Sequence, residues 1–161
     1  MAIEKAIRAL ALFSELDGNE CRKLSGLCEV RNYAAGELVF DEGLIGHSLQ
    51  IIRKGSVEIS FMMRIPEKEA ASSIATLYPG RFFGMFTFLD PNRHSATARA
   101  LETTETISLS KEDFEKFCRE DPYGGYLILH KLALSITNML RLMDEKVADM
   151  FSYVWGDNAT F

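Results

Sequence analysis

The chain has 161 residues, 47% apolar and 25% charged, with a formal net charge of −5. That is the size and balance of one ordinary globular domain with its own core. It argues against a nucleic-acid-binding surface, because the basic residues form no run, and no stretch of about 18 apolar residues is present to span a membrane.

Met1-Ala-Ile-Glu-Lys carries charge early and has no apolar leader core, so no secretory signal is expected. Cys21, Cys28 and Cys118 form an odd set without metal-type spacing, which fits free thiols in a reducing cytoplasm. Ile3, Ile7 and Leu10 repeat at helical spacing. Asp17 followed by Glu20 predicts a capping box for a second short helix that buries Leu24 and Leu27.

From about Glu29 the period changes. Leu38, Val39 and Phe40 follow Gly36, and Leu49, Ile51 and Ile52 follow the turn Glu42-Gly43-Leu44-Ile45-Gly46. Val57, Ile59 and Phe61 alternate with Ser56, Glu58 and Ser60 as a half-buried strand, and Lys54-Gly55 before it has the composition of a hairpin turn. Pro66-Glu67-Lys68-Glu69 is a polar turn; Ile74, Ala75 and Leu77 make the returning strand, ended by Pro79-Gly80. Residues 97–101 and 104–109 are two more short β segments. Short strands with turn signals about every 8–12 residues fit a sandwich, barrel or jelly roll, and periodicity does not choose among them.

At Ser110 the helical period returns. Ser110 and Asp113 read as a second capping box, with Phe114 and Phe117 on one face of the helix it opens. Asp121-Pro122 is a helix start, and the spacing predicts a helix to about Met150, its first turn weakened by Gly124 and Gly125. That helix is too long for a small roll to cover. Leu129, Leu132, Ile136, Met139, Met143, Lys146 and Met150 follow 3,4 spacing and read as a coiled-coil seam for a homodimer. A second stripe, Leu127, Leu134 and Val147, would face the roll. The alternative is a helix buried wholly within its own domain. The expected organisation is one domain, 1–151, made of N-terminal helices (1–28), a β-roll (29–110) and C-terminal helices (111–151). An aromatic tail (152–161) follows, folded back on the roll or presented to a partner.

The order of these elements resembles the cyclic-nucleotide-binding domain, the sensor half of cyclic-AMP-receptor-type regulators. Leu12-Phe13-Ser14-Glu15-Leu16 resembles the family's opening, and residues 36–43, GELVFDEG, its first hairpin. Residues 51–59, IIRKGSVEI, resemble the strand–turn–strand that follows. Gly80-Arg81-Phe82-Phe83-Gly84-Met85 to Ser95-Ala96-Thr97 resembles the cassette that binds the cyclic phosphate. The resemblance implies a mainly β fold with flanking helices: a double-stranded β-helix, or jelly roll, with short N-terminal helices and a long C-terminal one. It places a candidate pocket at Phe83, Gly84, Met85, Phe86, Thr87, Arg93, His94, Ser95, Ala96 and Thr97.

The same resemblance puts the usual ligand in doubt. The family's cassette uses a glutamate for the ribose and an arginine for the phosphate. Met85 stands at the first position and His94 at the second. A thioether is a poor acceptor, and a mostly neutral imidazole has no bidentate fork. Each lost buried charge partner costs about 2–5 kcal/mol. Met143-Asp144, before Glu145-Lys146-Val147, also lack the hydroxyls that similar receptors offer the purine. The alternative is a one-residue slip in Asp90-Pro91-Asn92 that swings Arg93, with Arg81 and Arg99 nearby in sequence, into the pocket. Phe82, Phe83, Phe86 and Phe88 are either ordinary core or, with Met85, the walls of an apolar pocket for a different ligand.

The expectation is therefore a cytoplasmic, non-enzymatic regulatory dimer with no cofactor, cyclic nucleotide being disfavoured, that acts through another small ligand or a partner protein. A metal enzyme of cupin type would need clustered histidines, and His47, His94 and His130 are far apart. No serine or cysteine sits in a nucleophile elbow. The 11 residues after Met150 are too few for a helix-turn-helix, so no direct DNA binding is expected.

Overall fold

In the computed structural model, which describes residues 2–65 and 68–155, helices at both ends of the chain enclose one side of a β-roll. The first helices are α1 (Ala2–Arg8), a 3₁₀ turn (Ala11–Phe13) and α2 (Gly18–Ser25). The strands are β1 (Glu29–Tyr33), β2 (Leu38–Phe40), β3 (Ile45–Gly46), β4 (Ser48–Lys54), β5 (Val57–Ile65), β6 (Lys68–Leu77), β7 (Phe82–Phe83), β8 (Asn92–Arg93), β9 (Thr97–Ala100) and β10 (Thr104–Ser110). A short helix α3 (Met85–Leu89) interrupts the strands, and α4 (Lys111–Glu120) and α5 (Pro122–Trp155) close the chain. One antiparallel sheet has the order β1-β10-β4-β7, the other β2-β9-β5-β6, and β3 pairs with β8 as a ribbon. This is the jelly roll expected from the resemblance.

The first sheet has two unlike faces because side chains alternate along a strand. Leu49, Ile51, Ile107 and Leu109 pack on Ile7, Leu24, Phe114, Phe117, Ile128 and Leu132 of the helices, all buried. Gln50, Thr106 and Ser108 are buried on the opposite face, inside the roll. A smaller apolar cluster, Ile52, Val57, Phe83 and Ala98, ties the two sheets together.

The capping box of α2 is present. The Asp17 carboxylate accepts from the amides of Asn19 and Glu20, at 2.7 and 2.9 Å, while the Asp17 amide donates to Glu20 at 2.6 Å. At α4 the cap is one-sided. Ser110 Oγ accepts from the Asp113 amide (3.1 Å) but donates to the Asp113 carboxylate (2.6 Å), so no bond returns to the Ser110 amide. Asp121 caps α5 by accepting from the Gly124 amide at 3.1 Å. Gly124 and Gly125 have a packing reason: a Cβ there would come within 2.9 Å of the Phe117 ring and 2.6 Å of Cys118 Sγ. The missing side chains let α4 and α5 close on each other.

Several sequence expectations are corrected. The Lys54-Gly55 turn is real, with φ +81° at Gly55, but it is not a hairpin. β4 pairs with β10 and β7, and β5 with β6 and β9, so the turn carries the chain from one sheet to the other. Residues 36–43 do not form a hairpin either; β2 pairs with the distant β9. Within the expected turn 42–46, Ile45 and Gly46 form β3. Of the expected turn 66–69, Pro66 and Glu67 lie outside the described residues, and Lys68 and Glu69 already belong to β6, paired with β5.

The long helix is also reassigned. It runs to Trp155, so 152–155 continue α5 instead of starting a tail that folds back, and Phe151 and Tyr153 are exposed; residues 156–161 lie outside the described residues. Leu132, expected in the outer seam, is fully buried against the roll, and Ile136 packs partly on the same core. Of the stripe expected to face the roll, Leu127 is buried, but Leu134 and Val147 are exposed. None of the described helices is long and apolar enough to cross a membrane.

Candidate ligand-binding pocket

The cassette is built around Gly84, which caps α3 with φ +79°. A Cβ at Gly84 would sit 2.7 Å from the Ser48 carbonyl, so the position needs glycine for both its backbone and its space. The turn buries Met85 and Thr87 and leaves Phe86 half exposed. On the other side, the β3–β8 ribbon fixes the loop that carries His94. The His94 amide donates to the Leu44 carbonyl, and the Gly43 amide donates to the His94 carbonyl, both at 2.8 Å.

These two pieces meet over a pocket of about 320 Å³. Of the expected site residues, Phe83, Gly84, Met85, Phe86, Thr87, His94, Ser95 and Ala96 line it. Thr97 does not: it faces another groove, where its hydroxyl donates to Asp41 at 2.7 Å and accepts from the Glu42 amide at 3.1 Å. Arg93 does not either. It is exposed, and its guanidinium donates to the Gly43 carbonyl at 2.6 Å. The pairing Ile45↔Arg93 and Gly46↔Asn92 holds that register, so a slip toward the pocket would break the ribbon. Arg99 is tied to the Gly36 carbonyl at 2.6 Å, and Arg81 is exposed. Among the described residues lining the pocket there is no charged side chain.

His94 has a fitted seat. Its ring lies flat on Phe40, with centroids 3.7 Å apart and planes 2° apart. Its Nδ1 is 3.5 Å from Thr87 Oγ1, which also donates to the Gly84 carbonyl at 3.2 Å. Gly46 makes room, since a Cβ there would fall 2.0 Å from His94 Nε2. Burial pushes the imidazole below its ordinary value, with the nearby His47 charge acting in the same direction, so the ring is neutral near pH 7.

Phe82, expected as core or as pocket wall, lines the pocket; sequence reasoning missed the other strand walls, Phe40, Ile59, Phe61, Ile74, Ala75 and Leu77. Alternation marked Ile59 and Phe61 as an inward face, but nothing local distinguishes a side chain that lines a cavity from one that fills it. Met139 of α5, expected in a dimer seam, also borders the pocket. A second cleft of about 370 Å³ lies beyond the Phe40–His94 stack. Its walls are polar: Arg31, Tyr33, His47, Gln50, Ser108 and Asp113. Gln50 Nε2 donates to Ser108 (2.8 Å) and Ser48 (3.1 Å), and Gln50 Oε1 accepts from Thr106 (2.9 Å).

Fold and pocket together define a β-roll with a partly open apolar pocket beside a short cassette helix. The chain belongs to the cyclic nucleotide-binding domain family, which it matches over residues 30–121. It is 32% identical over 123 residues to a cyclic AMP receptor protein of Thermus thermophilus, covering 76% of this chain and 53% of that protein. It is 27% identical over 113 residues to a cAMP-dependent protein kinase regulatory subunit of Blastocladiella emersonii, covering 70% of this chain and 27% of that one. The chain thus spans about half, or less, of the length of these relatives. Among solved structures, the Thermus thermophilus catabolite activator protein superposes with a TM-score of 0.76 at 30% identity, over 88% of this chain and 63% of that one. A cyclic nucleotide-binding domain from Methylobacillus flagellatus gives 0.78 at 22% identity, over 92% and 82%, a likeness of fold alone.

Proposed function

We propose that this chain is a non-enzymatic regulatory module, dimeric through α5, whose pocket does not take cyclic AMP or cyclic GMP in the family's usual way. It acts instead through another small ligand or a partner protein. The observation that carries this is the pocket's lack of a cation: His94 is neutral and packed on Phe40, and Arg93 is engaged outside. A cyclic phosphate entering it would exchange hydration for no counter-charge.

The dimer part rests on the exposed side of α5. With Leu132 committed to the roll, the outer seam becomes Leu129, Ala133, Ile136, Leu140, Met143, Val147 and Met150, a 4,3 repeat with no lysine in it. The likeness to a cyclic AMP receptor protein favours a second reading, in which Arg93 supplies the missing cation. For that, Arg93 must release the Gly43 carbonyl.

Calorimetric titration with cyclic AMP and cyclic GMP separates the two. No binding in the micromolar range is expected. Micromolar binding abolished by Arg93→Ala would overturn the remodelled-pocket reading. Sedimentation of the Leu140→Lys, Met143→Lys double variant tests the seam, with loss of the dimer expected.

A further inference from the structure

The pocket described above is more specific in character than a vacant nucleotide site. We infer that it takes a neutral, apolar molecule bearing one or two aromatic rings, and that it rejects ions of either sign. This rests on the remodelled-pocket reading and gives that reading a ligand class.

Charge comes first. No carboxylate, ammonium or guanidinium lines the pocket among the described residues, and the one imidazole, His94, is neutral near pH 7. The Thr87 hydroxyl is occupied by the Gly84 carbonyl, and the His94 ring is stacked on Phe40. A buried ion without a partner is unfavourable by several kcal/mol, whichever its sign. A neutral ring system loses little hydration and gains the full apolar contact.

The walls add a preference of shape. Phe40, Phe61 and Phe83 present aromatic carbon, and Met85 and Met139 present thioethers. Ring faces and edges pair well with both kinds of group. A volume of about 320 Å³ lies at the small end of ligand pockets. It suits a compact ring system. The Ser95 hydroxyl at the rim offers a place for one polar substituent.

A matched pair of fluorescent probes tests this on the full chain. N-phenyl-1-naphthylamine and 8-anilinonaphthalene-1-sulfonate share a ring skeleton and differ by one sulfonate. The neutral probe is expected to bind saturably and about tenfold or more tighter than the anionic one. Two filling variants from different elements, Ala75→Trp and Ala96→Met, are each expected to weaken the neutral probe about tenfold while circular dichroism is unchanged. Equal or tighter binding of the sulfonate overturns the inference, as does unchanged affinity in both filled variants. Failure of both probes also overturns it, and points to a pocket filled by the chain's own side chains or by a second copy. That result, with no cyclic nucleotide binding, leaves the remodelled-pocket reading standing; micromolar cyclic AMP binding sinks both.

Discussion

Two cavities share one wall, and they differ in almost everything else. On one side of the Phe40–His94 stack is an apolar pocket of phenylalanine and methionine; on the other is a cleft of hydroxyls, an amide and charges. The first sheet and the cassette place these environments a ring's thickness apart. On the polar side, stability depends on each group keeping its partner. On the apolar side, it depends on filled volume. The stack is what keeps the two rules from mixing, so variants at the stack should cost more than variants behind it.

Phe40→Ala should have the largest effect. It removes the ring that His94 lies on and that tilts against Phe83 at 5.7 Å. A fully buried Phe→Ala costs about 3–5 kcal/mol; Phe40 is half-buried, so about 3 kcal/mol is expected by chemical denaturation. A loss below about 1 kcal/mol would mean that the stack separates nothing that matters to the fold.

Gly46→Ala comes next. Its Cβ would meet His94 Nε2 at 2.0 Å and Thr87 Oγ1 at 2.8 Å, so the imidazole must leave its seat. About 2 kcal/mol is expected, the range of overpacking. The cycle with His94→Ala decides whether the ring is the cause. If Gly46→Ala costs as much with His94 removed as with it present, the seat is not built for the histidine.

Gln50→Leu probes the polar side behind the wall. The new side chain fits apolar volume but leaves Ser108 and Thr106 without the amide they bond. About 1.5 kcal/mol is expected from the stranded hydroxyls. Met85→Leu on the apolar side should cost less than about 1.5 kcal/mol, since it nearly conserves volume. Equal costs at the two sites, measured by denaturant midpoint, would erase the difference between the cavities.

Local chemistry made the frame of this molecule readable. Asp17, Ser110 and Asp121 announce helix starts because a cap is satisfied by residues two or three positions away. Gly84 and His94 were found because the cassette is a short, ordered string. What failed was non-local. Lys54-Gly55 makes the same turn whether the strands beside it pair with each other or with β10 and β9, so its composition cannot say that it changes sheets. The two possible α5 seams share Leu129, Ile136, Met143 and Met150 and differ in whether Leu132, Met139 and Lys146 or their neighbours Ala133, Leu140 and Val147 fill the repeat. The roll takes Leu132, and that choice is made by packing with residues as far away as Ile7. Gly46 reads as turn punctuation, yet its role is to leave space for a ring 48 positions later.

The smallest effect is one of pH, and its sign follows from the burial of His94. The folded state holds the imidazole below its ordinary value of 6.5, first through burial and then through the His47 charge. Unfolded chain therefore binds the proton more readily in the window just below 6.5. The stability that the neutral ring contributes is complete above that value and is lost as the pH falls through the window. The slope for one proton has a ceiling of about 1.4 kcal/mol per pH unit. Denaturant midpoints from about pH 7.5 to about pH 5 should fall more steeply in the wild type than in His94→Gln; parallel curves would remove His94 from the account. Protonation also turns the shared wall cationic. At the acid end the apolar pocket then gains the counter-charge it lacks at pH 7, and the gap between the neutral and sulfonated probes should narrow as the imidazole titrates.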